Sequence, residues 1–140
     1  MKYLGLDLGT KTLGLALSDK LGIISSPYKT LFYNDYNNLI LELKNIIQCE
    51  QVDALVLGMP KNMNNSIGKR AEETLNFSNL LQNEISLPLY LVDERLSTVE
   101  AENLLISGDV RRKNRKKVID SIAASIILET FLERNKNEQN

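Results

Sequence analysis

The chain has no histidine and a single cysteine, Cys49. Without histidine, Ser-His-Asp and Cys-His nucleophilic schemes are excluded, and so is histidine-ligated zinc. One cysteine allows no disulfide within the chain and no thiolate cluster for zinc or iron–sulfur. Cys49 falls late in a helical pattern and is expected to be a partly buried small hydrophobe. Any metal must therefore be held by oxygens, which points to Mg²⁺ or Mn²⁺, as one ion or two. No apolar run approaches the roughly 18–20 residues that would span a bilayer, and the first residues show neither a basic leader nor a cleavage site. The expectation is a cytoplasmic protein without a membrane role.

What is present fits one globular domain. The 140 residues are 43% hydrophobic and 25% charged, enough apolar content to bury a proper core. The expected domain covers residues 1–134, with 135–140 as a flexible C-terminal tail. The net charge is −1, but its distribution is uneven. Residues 111–117, "RRKNRKK", concentrate Arg111, Arg112, Lys113, Arg115, Lys116 and Lys117. The body before them is acidic, so the chain presents one dense basic segment.

Hydrophobic periodicity orders the elements. Residues 2–8 and 13–18 read as strands closed by the turn Gly9-Thr10-Lys11-Thr12, and a third strand spans 23–33. Apolar positions Leu39, Ile40, Leu43, Ile46 and Ile47 mark an amphipathic helix over 36–49. "DALVLGMP", 53–60, is a buried parallel strand. A helix over 69–84 turns Leu75, Leu80 and Leu81 inward, and 87–94 forms a further buried strand. Ser97 to Glu100 has capping-box spacing and starts a helix that stops near Gly108. A last helix covers 117–134. An antiparallel meander followed by βαβ crossovers is the order of the ribonuclease H-like fold. The fold class is α/β, a mixed five-stranded sheet, three strands antiparallel then two parallel, with helices on both faces.

Three carboxylates stand out. Asp7 lies inside the first strand, on the face of Tyr3, Gly5 and Gly9, where a charge needs a partner or an ion. Hydrogen bonding to the hairpin's own amides is the plainer account of it. Glu94 ends a strand at the carboxyl edge of the parallel sheet, where open α/β sheets place ligands. Asp93 points to the other face, and pairing with Arg95 would explain "DER" without a site. Asp120 shares a helical stripe with Ala123, Ala124, Ile127 and Phe131, so it faces the sheet; a dipole-stabilised helix acid is its simpler reading. Converging carboxylates repel unless a cation neutralises them, and a divalent pair supports phosphoryl chemistry without histidine. The basic segment before Asp120 would hold phosphates. Lys61, Lys69 and Arg70 surround a loop that feeds a helix N-terminus, a natural phosphate cradle. Lys11 in the hairpin turn and Arg95 complete the candidate substrate contacts.

Four ordered segments, "LGLDLGTKTLGLALSD", "VLGMPKNMNNSIGKRA", "VDERLSTVEA" and "KKVIDSIAASIIL", resemble the YqgF family, also called RuvX. The resemblance runs nearly end to end. It implies a metal-dependent endonuclease that hydrolyses nucleic-acid phosphodiesters, with Asp7, Glu94 and Asp120 as catalytic and metal-binding residues. Processing the 5′ end of pre-16S rRNA in ribosome biogenesis is the activity it favours. Holliday junction resolution in DNA is the alternative, and a non-catalytic nucleic-acid-binding factor is another. The expected partner is nucleic acid, structured RNA before branched DNA, met by a monomer or homodimer. Asn65 departs from a position where members often carry glycine. Lys117 stands where related resolvases present another carboxylate. "DLGTKTLGLAL" also resembles the phosphate loop of sugar kinases and actin, which clamp nucleotide between two such domains.

Overall fold

The computed structural model describes residues 1–60, 69–94 and 112–138, the side chains of 94, 112–118 and 137–138 excepted. Five strands form one sheet: β1 (Tyr3–Leu8), β2 (Thr12–Ser18), β3 (Ser25–Phe32), β4 (Ala54–Pro60) and β5 (Leu89–Glu94). Their spatial order is β3-β2-β1-β4-β5. β1 pairs antiparallel with β2, and β2 with β3, whereas β1, β4 and β5 run parallel. Three helices complete the described residues: α1 (Tyr36–Glu50), α2 (Lys69–Glu84) and α3 (Arg112–Glu138). This is the expected ribonuclease H-like architecture. The helix expected over 97–108 lies outside the described residues.

Strand alternation sorts the core into two halves. Leu4, Leu6, Leu8, Leu13, Leu15, Leu55 and Leu57 face one way and pack with Leu39 and Leu43 of α1 and Phe77 and Leu81 of α2. Tyr3, Ala16, Ala54, Val56 and Val92 face the other way and meet Ala124, Ile127, Leu128 and Leu132 of α3. β1 is central and all six of its residues are buried. The middle of its α3-facing side is a glycine because the helix comes close. A Cβ at Gly5 would lie 2.9 Å from Leu128 Cβ and 3.0 Å from the Ala124 carbonyl oxygen.

Asp35 caps α1, its carboxylate accepting from the Asn38 amide at 2.8 Å, which satisfies one of the helix's open donors. Cys49 is exposed, contrary to expectation. It sits about 90° around α1 from the centre of the stripe of Leu39, Leu43 and Ile46, so the helix turns it to solvent. In α2 the buried line is Ala71, Thr74, Phe77, Ser78 and Leu81. Leu81 is inward as expected and Leu80 is partly buried, but Leu75 is exposed and Phe77 takes the core position. The helical stripe through two polar residues, Thr74 and Ser78, hid that register from an apolar count.

The last helix starts earlier and ends later than its apolar pattern indicates. It begins at Arg112, so most of the basic segment is helical, and it continues through Glu138. Lysine and arginine are good helix formers. Apolar periodicity begins only with Val118 and Ile119, after the basic residues. Replacing Phe77 with alanine should cost about 3–5 kcal/mol, whereas Leu75→Ala should change stability by less than about 0.5 kcal/mol. Urea midpoints of the two variants check the register; equal losses would contradict it.

Candidate active site

Asp7 is directly opposite Gly14 in the β1–β2 ladder, a separation of about 4.5–5.5 Å between Cα atoms. Gly14 in turn lies beneath α3. A Cβ there would stand 3.1 Å from the Asp120 Cα and closer still to that residue's carbonyl group. Asp7 and Asp120 therefore flank one glycine, brought together by a strand pairing and a helix contact that a methyl group would block. Asp7 is 6% exposed and Asp120 is half-buried. One oxygen of each carboxylate, Asp7 Oδ1 and Asp120 Oδ2, is shut off from solvent.

Glu94 closes β5 in register with Pro60 of β4. It is two positions beyond Val92, which is buried against α3, so the strand period returns Glu94's position to the Asp7 side of the sheet. β4 separates β5 from β1, which sets the two backbones about 10 Å apart. Asp93, paired with Met59, takes the opposite alternation and is exposed. Among the described residues no group of three potential metal ligands is assembled; the Glu94 side chain is not one of those described.

The basic residues gather at the same end. Asp120 sits on Gly14, Ala124 and Leu128 sit on Gly5, and Phe131 meets Tyr3 with ring centroids 5.2 Å apart. α3 thus descends β1 from the Asp7 end to the Tyr3 end, and its N-terminal turns project past the site. Arg112, Lys113, Arg115, Lys116 and Lys117 occupy those turns, within about 12 Å of rise from Asp120. Lys11 is exposed in the β1–β2 turn, and Lys69 and Arg70 are exposed in the first turn of α2. Lys61, Arg95 and Arg111 lie outside the described residues. A cavity of about 480 Å³ opens at the other end of β1, against Met1, Tyr3 and Leu132, and takes no part in this site.

Sequence reading missed what holds the turn after Asp7. The Gly9 amide donates to the Thr12 carbonyl at 2.7 Å. Tyr33 Oη donates to the Gly9 carbonyl at 2.7 Å and lies 3.3 Å from that of Thr10. The Tyr33 amide donates to the Lys11 carbonyl at 3.1 Å. Arg70, expected only as a phosphate contact, donates through Nη2 to the Leu8 carbonyl at 3.1 Å. Two residues distant in sequence thus brace the carboxyl end of β1. The Tyr33 ring packs on Tyr36, and Tyr36 on Phe77, at centroid distances of 5.5 and 5.3 Å.

With this geometry in place, comparison with known proteins gives a consistent result. The RuvX family, described as "Holliday junction resolvase", matches residues 1–134. The chain belongs to the RuvX family. A relative from Geobacillus sp. (strain WCH70), named "Putative pre-16S rRNA nuclease", is 49% identical over 135 residues, covering 95% of this chain and 98% of its own. One of the same name from Bacillus subtilis (strain 168) is 45% identical over 137 residues, at 95% and 98% coverage. Thermus thermophilus RuvC, solved in complex with a Holliday junction substrate, superposes with a TM-score of 0.57 over 96% of both chains at 14% identity. The fowlpox virus Holliday junction resolvase also gives 0.57, at 13% identity. These two share the fold of this RuvX protein.

Burial, and then the neighbouring Tyr36, pushes the Tyr33 hydroxyl well above its ordinary value of 10.0. A phenol held neutral in the folded state contributes stability fully below pH 10.0, and that contribution is lost as pH rises above it and the unfolded chain ionises. Tyr33→Phe should cost about 1 kcal/mol at neutral pH, since the Gly9 carbonyl loses its donor. Its stability should also fall less steeply above pH 10.0 than that of the native protein. Denaturation midpoints across neutral and alkaline pH check both; parallel alkaline slopes would contradict the assignment.

Proposed function

We propose that this RuvX protein is a metal-dependent endonuclease hydrolysing nucleic-acid phosphodiesters, and that it processes the 5′ end of pre-16S rRNA in the cytoplasm. The observation that carries this reading is the pair Asp7 and Asp120 on either side of Gly14, at the end from which the basic turns of α3 project. Two like charges, each with an oxygen away from water, raise each other's energy until a cation neutralises them. An all-oxygen donor set suits Mg²⁺ or Mn²⁺. Asp7 and Asp120 would hold the ion, with Glu94 as the third expected ligand. When bound, it lowers the pKa of a coordinated water and stabilises charge on the phosphoryl oxygens.

The chain's own residues supply the rest. Lys11 and Lys69 are exposed and would pair with phosphates of the bound strand. The cationic first turns of α3 run against the helix dipole, an arrangement that a bound polyanion relieves. Tyr33 and Arg70 hold the β1–β2 turn, which fixes Asp7 relative to Lys11. The names of the relatives support RNA as the substrate. Trimming at one position needs one copy of the site, and a junction resolvase needs a two-fold pair.

Purified protein assayed on pre-16S rRNA and on a four-way DNA junction, each with Mg²⁺ or Mn²⁺, tests the reading. Cleavage of the RNA that stops with chelator is expected. Asp7→Asn should abolish cleavage while leaving the melting temperature equal or higher, because it removes one of two neighbouring charges. Undiminished metal-dependent cleavage by that variant would refute the site, and cleavage of the junction alone would move the substrate to DNA.

A further inference from the structure

We propose that Phe32 is a nucleobase-stacking residue beside the carboxylate site, so that the chain reads an unpaired nucleotide next to the phosphate it positions. This rests on the nucleic-acid reading above but not on cleavage. Asp7, Gly14 and Thr30 form one row across β1, β2 and β3, and the next row toward the hairpin pairs Thr12 with Phe32. Side chains repeat every two residues along a strand, so Phe32 shares the Asp7 and Asp120 side of the sheet. The intervening pair, Leu13 and Leu31, is buried in the opposite half of the core, as this alternation requires.

From Asp7 to Phe32 the backbone path is two strand spacings across and one pleat along, about 12 Å in all. The Phe32 side chain is 56% exposed, while its neighbour Leu31 is 8% exposed. Phe32 lies at the end where Lys11 is exposed and from which the basic turns of α3 project. An accessible ring within a cationic surface is the combination that binds single strands, with bases stacking while cations follow the backbone. A continuous duplex offers no free base face to such a ring.

The test measures binding without turnover. Fluorescence anisotropy in excess chelator would compare an unpaired oligouridine RNA of about 12 nucleotides with a blunt RNA duplex of the same length. Phe32→Ala should weaken binding of the unpaired RNA about tenfold, change duplex binding less than about twofold, and leave the salt slope intact, since no phosphate contact is lost. The chain has no tryptophan, so Phe32→Trp installs a single reporter. It should keep native affinity, and its emission should change as oligouridine saturates. Equal losses on both RNAs, native affinity in Phe32→Ala, or unchanged emission at saturation would overturn the proposal. Native binding by Phe32→Ala alongside intact cleavage removes the stacking role alone. Selective binding loss in a chain that never cleaves removes the nuclease reading alone.

Discussion

Everything at this site depends on how closely α3 lies against β1 and β2. Backbone meets backbone at Gly14, and Leu128 and Ala124 meet β1 at Gly5. No residue with a side chain fits at Gly14 without displacing the helix. That contact delivers Asp120 to Asp7, and the same small-residue face lets the two carboxylates be neighbours inside a folded protein. The electrostatic cost is offset by packing on both sides of the sheet, where buried leucines and Phe77 each contribute roughly 1.5–3 kcal/mol.

Close approach also sets the direction of α3, and direction links fold to function. Because the helix descends β1 from Asp7 to Tyr3, the residues that precede Asp120 must extend beyond the carboxylates. In this chain those residues are mostly arginine and lysine. One acid that could hold a cation, Asp120, and basic groups that could hold a polyanion therefore come from one helix. The turn between β1 and β2 is braced from two more elements, through Tyr33 after β3 and Arg70 in α2. Asp7 is thereby positioned by hydrogen bonds to its neighbours' carbonyls as well as by its own strand.

Much of this was legible in the sequence, for stated physical reasons. Alternation in "YLGLDLG" and "TLGLALS" assigned faces correctly, and the Ala123–Ala124–Ile127 stripe turned Asp120 to the sheet. Continuous apolar runs marked the parallel strands. Failures occurred where burial does not follow apolar character. Thr74 and Ser78 complete the buried line of α2, so Leu75 was mistaken for a core residue in place of Phe77. The basic turns of α3 carry no apolar periodicity in the sequence. Tyr33 was invisible because its acceptors are backbone carbonyls in a turn more than twenty residues earlier, and no pattern in the sequence records such a bond.

The central claim is that Asp7 and Asp120 serve one cation. Mn²⁺ affinity measured by electron paramagnetic resonance on the native protein, Asp7→Asn, Asp120→Asn and the double variant tests it without any substrate. A shared ion predicts that each single change weakens binding and that the double change weakens it by much less than the product of the two. Losses that multiply fully, or Mn²⁺ binding indifferent to either aspartate, would contradict the account.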